Sequence, residues 1–249
     1  MPSPIRLTPL PDVPAVAPGD DLAELIAAAA GSAGVRLKDG VLVVCQKIVS
    51  KAEGRLVALA DVEPSEEAIR IGREDEKDPR HVEVVLRETV RVVRHGHRVM
   101  ICETRHGFVC ANAGVDLSNA PGEDVAVLLP ENSDTSAARL RDALASLGHT
   151  NLGVIVSDTF GRPWRDGLVD CAIGSAGFAP VIDVRGRSDW TGRELQVTMT
   201  ASADQLAAAA GILMVKDAGV PAVFIEGFLP EGEGCVADML REPSEDLFR

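Results

Sequence analysis

RVMICETRHGFVCANAGVDLSN, residues 98–119, is rich in β-formers as far as Cys110 and carries a turn signal at His106-Gly107. Two strands joined by so short a turn run antiparallel, because a parallel pair needs a crossover of a dozen or more residues. Upstream, a helical region is predicted from about Pro64 to Val93, broken near Asp78-Pro79, with Val82, Val85, Leu86, Val90 and Val93 on one face. Before it, GVLVVCQKIVSK (residues 40–51) reads as a buried strand ending in a polar turn at Glu53-Gly54. Asp20 or Asp21 caps an earlier helix bearing Leu22, Leu25, Ile26 and Ala29, which Gly31 and Gly34 end. The proline-rich residues 1–18 read as an extended segment that skirts a sheet edge.

Downstream, a short strand at Val125 to Leu129 leads to a helix that Ser133, Asp134 and Thr135 can cap, with Ala138, Leu140, Leu144 and Leu147 facing inward. GVIVSDTFGRPWRDGLVDCAIGSAGF (residues 153–178) begins as an apolar strand and runs into an Asp-Thr pair, two arginines and a glycine-rich loop. Strands at Ala179–Val184 and Leu195–Thr200, an Ala-rich helix at Ser202–Met214 and the buried strand PAVFIEGF (residues 221–228) follow. This irregular alternation, with several turns too short for a crossover helix, gives an α+β fold with antiparallel pairing rather than a doubly wound parallel sheet.

The 249 residues are enough for one large domain or two small ones, and 46% hydrophobic content is globular. A formal charge of −13 argues against a nucleic-acid or anionic-membrane surface, and the absence of tyrosine argues against a base-stacking platform. An anionic small molecule would need the net charge offset locally by arginines, lysines or a divalent cation. No apolar run follows the single Arg of MPSPIRLTPLPDV, and no segment reaches the roughly 18 apolar residues of a membrane span, so a cytoplasmic protein is expected. Cys45, Cys102, Cys110, Cys171 and Cys235 contain no CxxC pair and read as reduced, mostly buried thiols.

No Walker A, GxGxxG, HExxH or GxSxG signature occurs. Three groupings carry chemistry. In QKIVSKAEGR, Lys47, Ser50, Lys51 and Arg55 follow a buried strand, where a lysine serves a phosphate as a point charge or simply solvates a strand exit. In ANAGVDLSN, Asp116 and Asn119 suit a metal and a purine or ribose, or an Asx-turn network. In the third, Asp158 and Thr159 offer oxygens to a hard cation, while Arg162 and Arg165 offer planar forks to phosphate or carboxylate; turn chemistry accounts for the same residues. If Asp116 and Asp158 converge, they form with Thr159 an oxygen cage of the kind Mg2+ or Mn2+ prefers. The charges at Asp183, Arg185, Arg187 and Asp189 read mainly as a solvated loop, and Asp204 as polar-face decoration of its helix.

QKIVSKAEGR, GFVCANAGVDLSN, SDTFGRPWRDGLVDCAIGSAGF and ELQVTMTASADQLAAAA, in this order and spacing, resemble the coenzyme F420-0:L-glutamate ligase family over essentially the whole chain. The chain is similar also to the N-terminal half of the bifunctional actinobacterial form, whose C-terminal half is nitroreductase-like; EDLFR (residues 245–249) falls near the corresponding junction. The resemblance implies one ligase domain over residues 1–249, built as two interleaved subdomains with mostly antiparallel sheets and paired as a homodimer. It implies GTP-dependent addition of L-glutamate to the lactyl carboxylate of F420-0, then of further γ-linked glutamates, through an acyl phosphate. It makes Asp116, Asp158 and Thr159 ligands of Mg2+ or Mn2+, with K+ as a further cation. Lys51 and Asn119 would contact GTP, as would Gln46, Met214, Lys216 and the loop holding Pro11, Val13 and Pro14. Arg162 and Arg165 are the catalytic candidates for binding phosphate or substrate carboxylates. Gln46, where many relatives carry a hydroxyl residue, and Val215, where many carry glycine, depart from the pattern. They leave open a nucleotide- or deazaflavin-binding module without ligase activity, beside an amide ligase for another carboxylate.

Overall fold

The computed structural model describes residues 4–118, 122 and 124–246. In chain order its elements are β1 (Arg6–Pro9), α1 (Leu22–Ser32), β2 (Gly40–Cys45), α2 (Gln46–Ala52), β3 (Leu56–Ala58), α3 (Glu66–Asp75), α4 (Pro79–Arg87), β4 (Thr89–Gly96), β5 (Val99–Thr104) and β6 (Val109–Ala111). They continue with β7 (Val125–Val127), α5 (Ser133–Ser146), β8 (Leu152–Arg162), β9 (Arg165–Ala176), β10 (Val181–Asp183), β11 (Met199–Ala201), α6 (Ser202–Gly211) and β12 (Ala222–Glu226).

A five-stranded sheet ordered β1-β12-β2-β8-β9 carries the larger core; its β2·β8 pair is parallel and every other pair antiparallel. β4-β5-β6, β3-β7 and β10-β11 form smaller antiparallel sheets, so the fold is α+β with mostly antiparallel pairing. The proline-rich start does skirt the sheet: β1 is its edge strand, where a residue lacking an N–H is tolerated. β2 is apolar throughout because it is central, flanked by β12 and β8, and buried in a core shared with side chains of α1, α5 and α6. A second core around Leu59, Ile71, Val82, Val85, Met100 and Leu128 lies under α3 and α4. The two cores alternate along the chain: Phe108 returns to the larger one between Cys102 and Ala113 of the smaller.

Local chemistry sets the element ends. The Asp21 side chain caps α1 by accepting from the Ala23 and Glu24 amides at 3.1 and 3.2 Å. Asp78 caps α4, with Pro79 at the first helical position, and separates it from α3. Asn132, not Ser133, is the cap of α5, accepting from Thr135 N at 2.8 Å. Gly107, at φ +88°, makes the turn between β5 and β6.

Four expectations are corrected. The helical face predicted through Val93 ends at Arg87; Thr89–Gly96 is β4, because a β-branched run beside β5 gains more from ladder pairing than from the helix, and Val90 is exposed. Gln46–Lys51 is helix rather than strand, since Gln46, Val49 and Ser50 bury one helical face. Leu147 lies at the end of α5 and is exposed. The apolar strand at residue 153 does not open into a loop: β8 runs on to Arg162 and turns through Pro163-Trp164 into β9. All five cysteines are free; Cys102 and Cys110 are buried and the other three partly so.

Candidate functional site

β2 stops at Cys45, which pairs with Ser157, and the chain turns there into α2. β8 runs on past that point with only β9 beside it, so Asp158 and Thr159 are the first residues on an uncovered strand edge. Strand alternation sends their side chains to opposite faces of the sheet, and the cleft at this place wraps around the edge between them. It encloses about 280 Å³, bounded by Val13, Pro14, Gln46, Lys47, Lys51, Asp116, Asp158, Thr159, Asp170, Met214 and Lys216 among others.

Asp116 reaches the cleft from the other core. Asn112, Ala113 and Gly114 take φ of +51°, +52° and +71°, reversing the chain directly after β6. Backbone hydrogen bonds of 3.0 and 2.8 Å to Val127 then hold Asp116 beside β7. Left-handed backbone at two non-glycine residues is costly, and such strain is retained where it aims a group. The Asp116 carboxylate accepts from Lys47 Nζ at 2.7 Å and from Ser118 N at 2.7 Å, with Lys216 Nζ at 4.0 Å. Burial pushes this carboxyl upward, but Lys47 and Ser118 outweigh it and hold the group below its ordinary range.

Asp158 behaves oppositely. Desolvation, reinforced by the charges of Asp116 and Asp170, raises its carboxyl to about 7, against the opposing Thr159 backbone hydrogen bond and Lys47. Its charge also helps burial lift the Cys110 thiol to about 12. Lys51 is held below its ordinary value by burial and by Lys47, which favours an anionic partner for both lysines. Gln46 is 1% exposed; its Oε1 accepts from Ser50 Oγ at 2.7 Å, while its buried Nε2 has no partner among the described residues. A ligand oxygen would satisfy that donor.

The structure therefore brings Asp116, Asp158, Thr159, Gln46, Lys51, Val13, Pro14, Met214 and Lys216 to one cleft. Pro11 stands in an exposed turn outside its lining, and Asn119 lies outside the described residues. Arg162 and Arg165 are not brought in. They face each other at the hairpin tip, where the Arg162 guanidinium donates to the Asp166 and Gly167 carbonyls at 2.6 and 3.4 Å. Lys47 was visible in the sequence only as one of four polar residues, and Asp170 gave no signal of its own. Folding the hairpin evenly at Pro163-Trp164 would have set Leu168 opposite Thr159, since the register shift between Gly161 and Arg162 that brings in Asp170 leaves no mark in the sequence.

Among the described residues no group of three or more His, Cys, Asp and Glu side chains is gathered as for a metal ion. The donors nonetheless fit a hard divalent cation: Asp116, Asp158, Thr159 and Asp170 present oxygen only, and Asp158 is short of the positive charge that would keep it ionised. A larger cavity of about 550 Å³ beside the start of α5 is chemically spent, because the Asp134 carboxylate there already accepts from the Ser175, Val236 and Ala237 amides.

The chain is thus an α+β protein with an oxygen-rich, lysine-flanked cleft at the edge of a mostly antiparallel sheet. A family profile described as F420-0:Gamma-glutamyl ligase matches residues 12–227, and the chain belongs to that family. It is 46% identical to the Coenzyme F420:L-glutamate ligase of Methanopyrus kandleri over 98% of both chains. It is 44% identical to the enzyme of that name from Methanothermobacter thermautotrophicus, over 98% of this chain and 99% of the relative. Against the one from Archaeoglobus fulgidus the identity is 40%, over 98% and 96%.

Proposed function

We propose that this chain joins L-glutamate to the lactyl carboxylate of coenzyme F420-0 and then adds further γ-linked glutamates, using GTP. The observation that carries the reading is the meeting of Asp116, Asp158 and Thr159 with Lys47, Lys51 and Lys216 in one cleft, in a chain that matches ligases of this name over nearly its whole length. A carboxylate is a poor electrophile and its oxygen a poor leaving group. One carboxylate oxygen attacks the γ-phosphorus of GTP, GDP departs, and an acyl phosphate forms; the glutamate amine then attacks the acyl carbon, loses a proton and displaces phosphate.

Mg2+ or Mn2+, held by Asp116, Asp158 and Thr159, would neutralise charge on the phosphate oxygens. Lys47, Lys51 and Lys216 offset the remaining phosphate charge against a strongly acidic protein. Gln46 Nε2 donates to a ligand oxygen, and Val13, Pro14 and Met214 pack against the nucleotide. Arg162 and Arg165 are left to acidic groups of the substrates that extend beyond the cleft. The protein works as a cytoplasmic homodimer; among the described residues no helix is long and apolar enough to cross a membrane.

Mass spectrometry after incubation with F420-0, GTP, glutamate and Mg2+ or Mn2+ tests the reading. A mass increase of one or more glutamyl units with matching GDP release is expected; neither product nor GTP turnover would overturn it. Varying the acceptor acid in the same assay separates this reading from a ligase for another carboxylate.

A further inference from the structure

Thr159 and Asp170 are direct cross-strand partners on the β8–β9 hairpin, and Thr159 Oγ1 donates to Asp170 Oδ1 at 2.7 Å. That pairing is made by a β-bulge. Val156 pairs with Gly174 but Ser157 pairs with Ala172, so Ile173 is an extra residue on β9 and the partners from Ser157 to Gly161 shift by one, before a second irregularity between Gly161 and Arg162. The Asp204 carboxylate of α6 accepts from Ala172 N at 3.0 Å, bonding the backbone amide beside the bulge. α6 also closes on Asp170 from behind: a Cβ built on Gly211 would stand 2.7 Å from Asp170 Oδ2 and 3.1 Å from Asp170 Cβ. A side chain at that position would force the Asp170 carboxylate or the helix to shift.

A threonine hydroxyl has one proton and two lone pairs, and a free hydroxyl rotates. We propose that Asp170 is a positioning residue for the proposed ligase reaction, taking the Thr159 hydroxyl proton so that its lone pairs are presented to a cation in the cleft. The bulge and Gly211 belong to the same device, since they put the carboxylate in place. This assignment rests on the reading that Thr159 is a cation ligand. Partners that orient a ligand's donor atom in this way change metal affinity by about 10- to 100-fold.

The test is titration of the full chain with Mn2+, alone and with saturating GDP, following free Mn2+ by electron paramagnetic resonance, with no turnover involved. Asp170→Ala is expected to weaken Mn2+ binding by about tenfold or more. Asp170→Asn, whose carboxamide oxygen still accepts the hydroxyl, is expected to stay within about threefold of the parent. Gly211→Ala, which leaves every donor in place but displaces the carboxylate, should weaken binding in the same direction as Asp170→Ala. In a Thr159→Val background, Asp170→Ala should cost nothing further. The assignment is overturned if Asp170→Ala binds Mn2+ within about twofold of the parent, or if its loss persists undiminished in Thr159→Val. Asp158→Asn separates the two layers: if it binds as the parent does, the cation reading falls and this assignment with it, whereas its loss beside a neutral Asp170→Ala removes only the assignment.

Discussion

The two ends of the part of the β8–β9 hairpin that runs on beyond β2 are built from one stretch of sequence and do opposite things. At the base, where β2 stops, Asp158, Thr159 and Asp170 border a cleft shared with Asp116 and three lysines. At the tip, three residues further on, Arg162 bonds the carbonyls of its own hairpin. Residues advance about 3.3 Å each along a strand, so Arg162 begins roughly 10 Å from Thr159 and its charge is absorbed locally. Adjacency in sequence joins these groups into one motif; the extended strand separates them. The basic groups that face the carboxylates come instead from α2 and from the segment after α6.

Substitution at the base has the largest expected effect. Asp158→Ala should lower glutamate transfer by about a hundredfold or more while leaving the circular dichroism spectrum and melting profile essentially unchanged. Activity within a few-fold of the parent would break the contrast between base and tip. Next comes the support of the base: Asp204→Ala leaves the buried-side amide of Ala172 without its carboxylate and should cost about 1–3 kcal/mol in urea unfolding. An unchanged midpoint would mean that the bulge is held by β9 alone.

A smaller effect is expected where the hairpin leans on the turn between β5 and β6. The Phe160 ring meets Phe108 edge to face at 6.3 Å, and Phe108 stacks on His106. Burial holds His106 below its ordinary value, although the bonds to the Pro130 and Glu131 carbonyls oppose this. A histidine so depressed contributes stability that is complete above its unfolded value near 6.5 and is lost as pH falls through the lower folded value. Urea midpoints of the parent should therefore drop from pH 7.5 to 5.5 by more than those of His106→Gln; equal drops would remove His106 from the account. The smallest effects belong to the tip. Arg162→Ala and Arg165→Ala should change stability by about 0.5 kcal/mol or less, and kcat/KM for GTP by no more than about threefold. A loss of about a hundredfold in either would return the tip to the site.

The sequence was most legible where one physical rule acted alone. The turn at His106-Gly107 is too short for a crossover, and that settled antiparallel pairing. Asp21 announced its helix through cap chemistry, and Asp78-Pro79 marked the break between α3 and α4. Val90 and Val93 misled because a β-branched residue supports either a helical face or a ladder, and only the neighbouring strand decides. Asp116 and Asp158 were legible as residues of the right chemistry, yet nothing local could bring them together across the two cores. Asp170 was hidden for a subtler reason: its partner depends on two register shifts, one beside Gly161 and one at Ile173, and periodicity carries no mark of a bulge. Asp204, read as surface decoration, was concealed in the same way, since the amide it bonds sits next to that irregularity.

The bulge at Ile173 also sets what kind of atom meets Thr159. Were Ile173 drawn into an even ladder opposite Ser157 instead of standing out as the extra residue, Thr159 would pair with Cys171 in place of Asp170. A sulfur would then stand where carboxylate oxygen stands now, and the preference of that edge would move from hard ions such as magnesium toward soft ones such as zinc. The elemental selectivity of this strand is thus written in the register of its ladder as much as in the identity of any one residue.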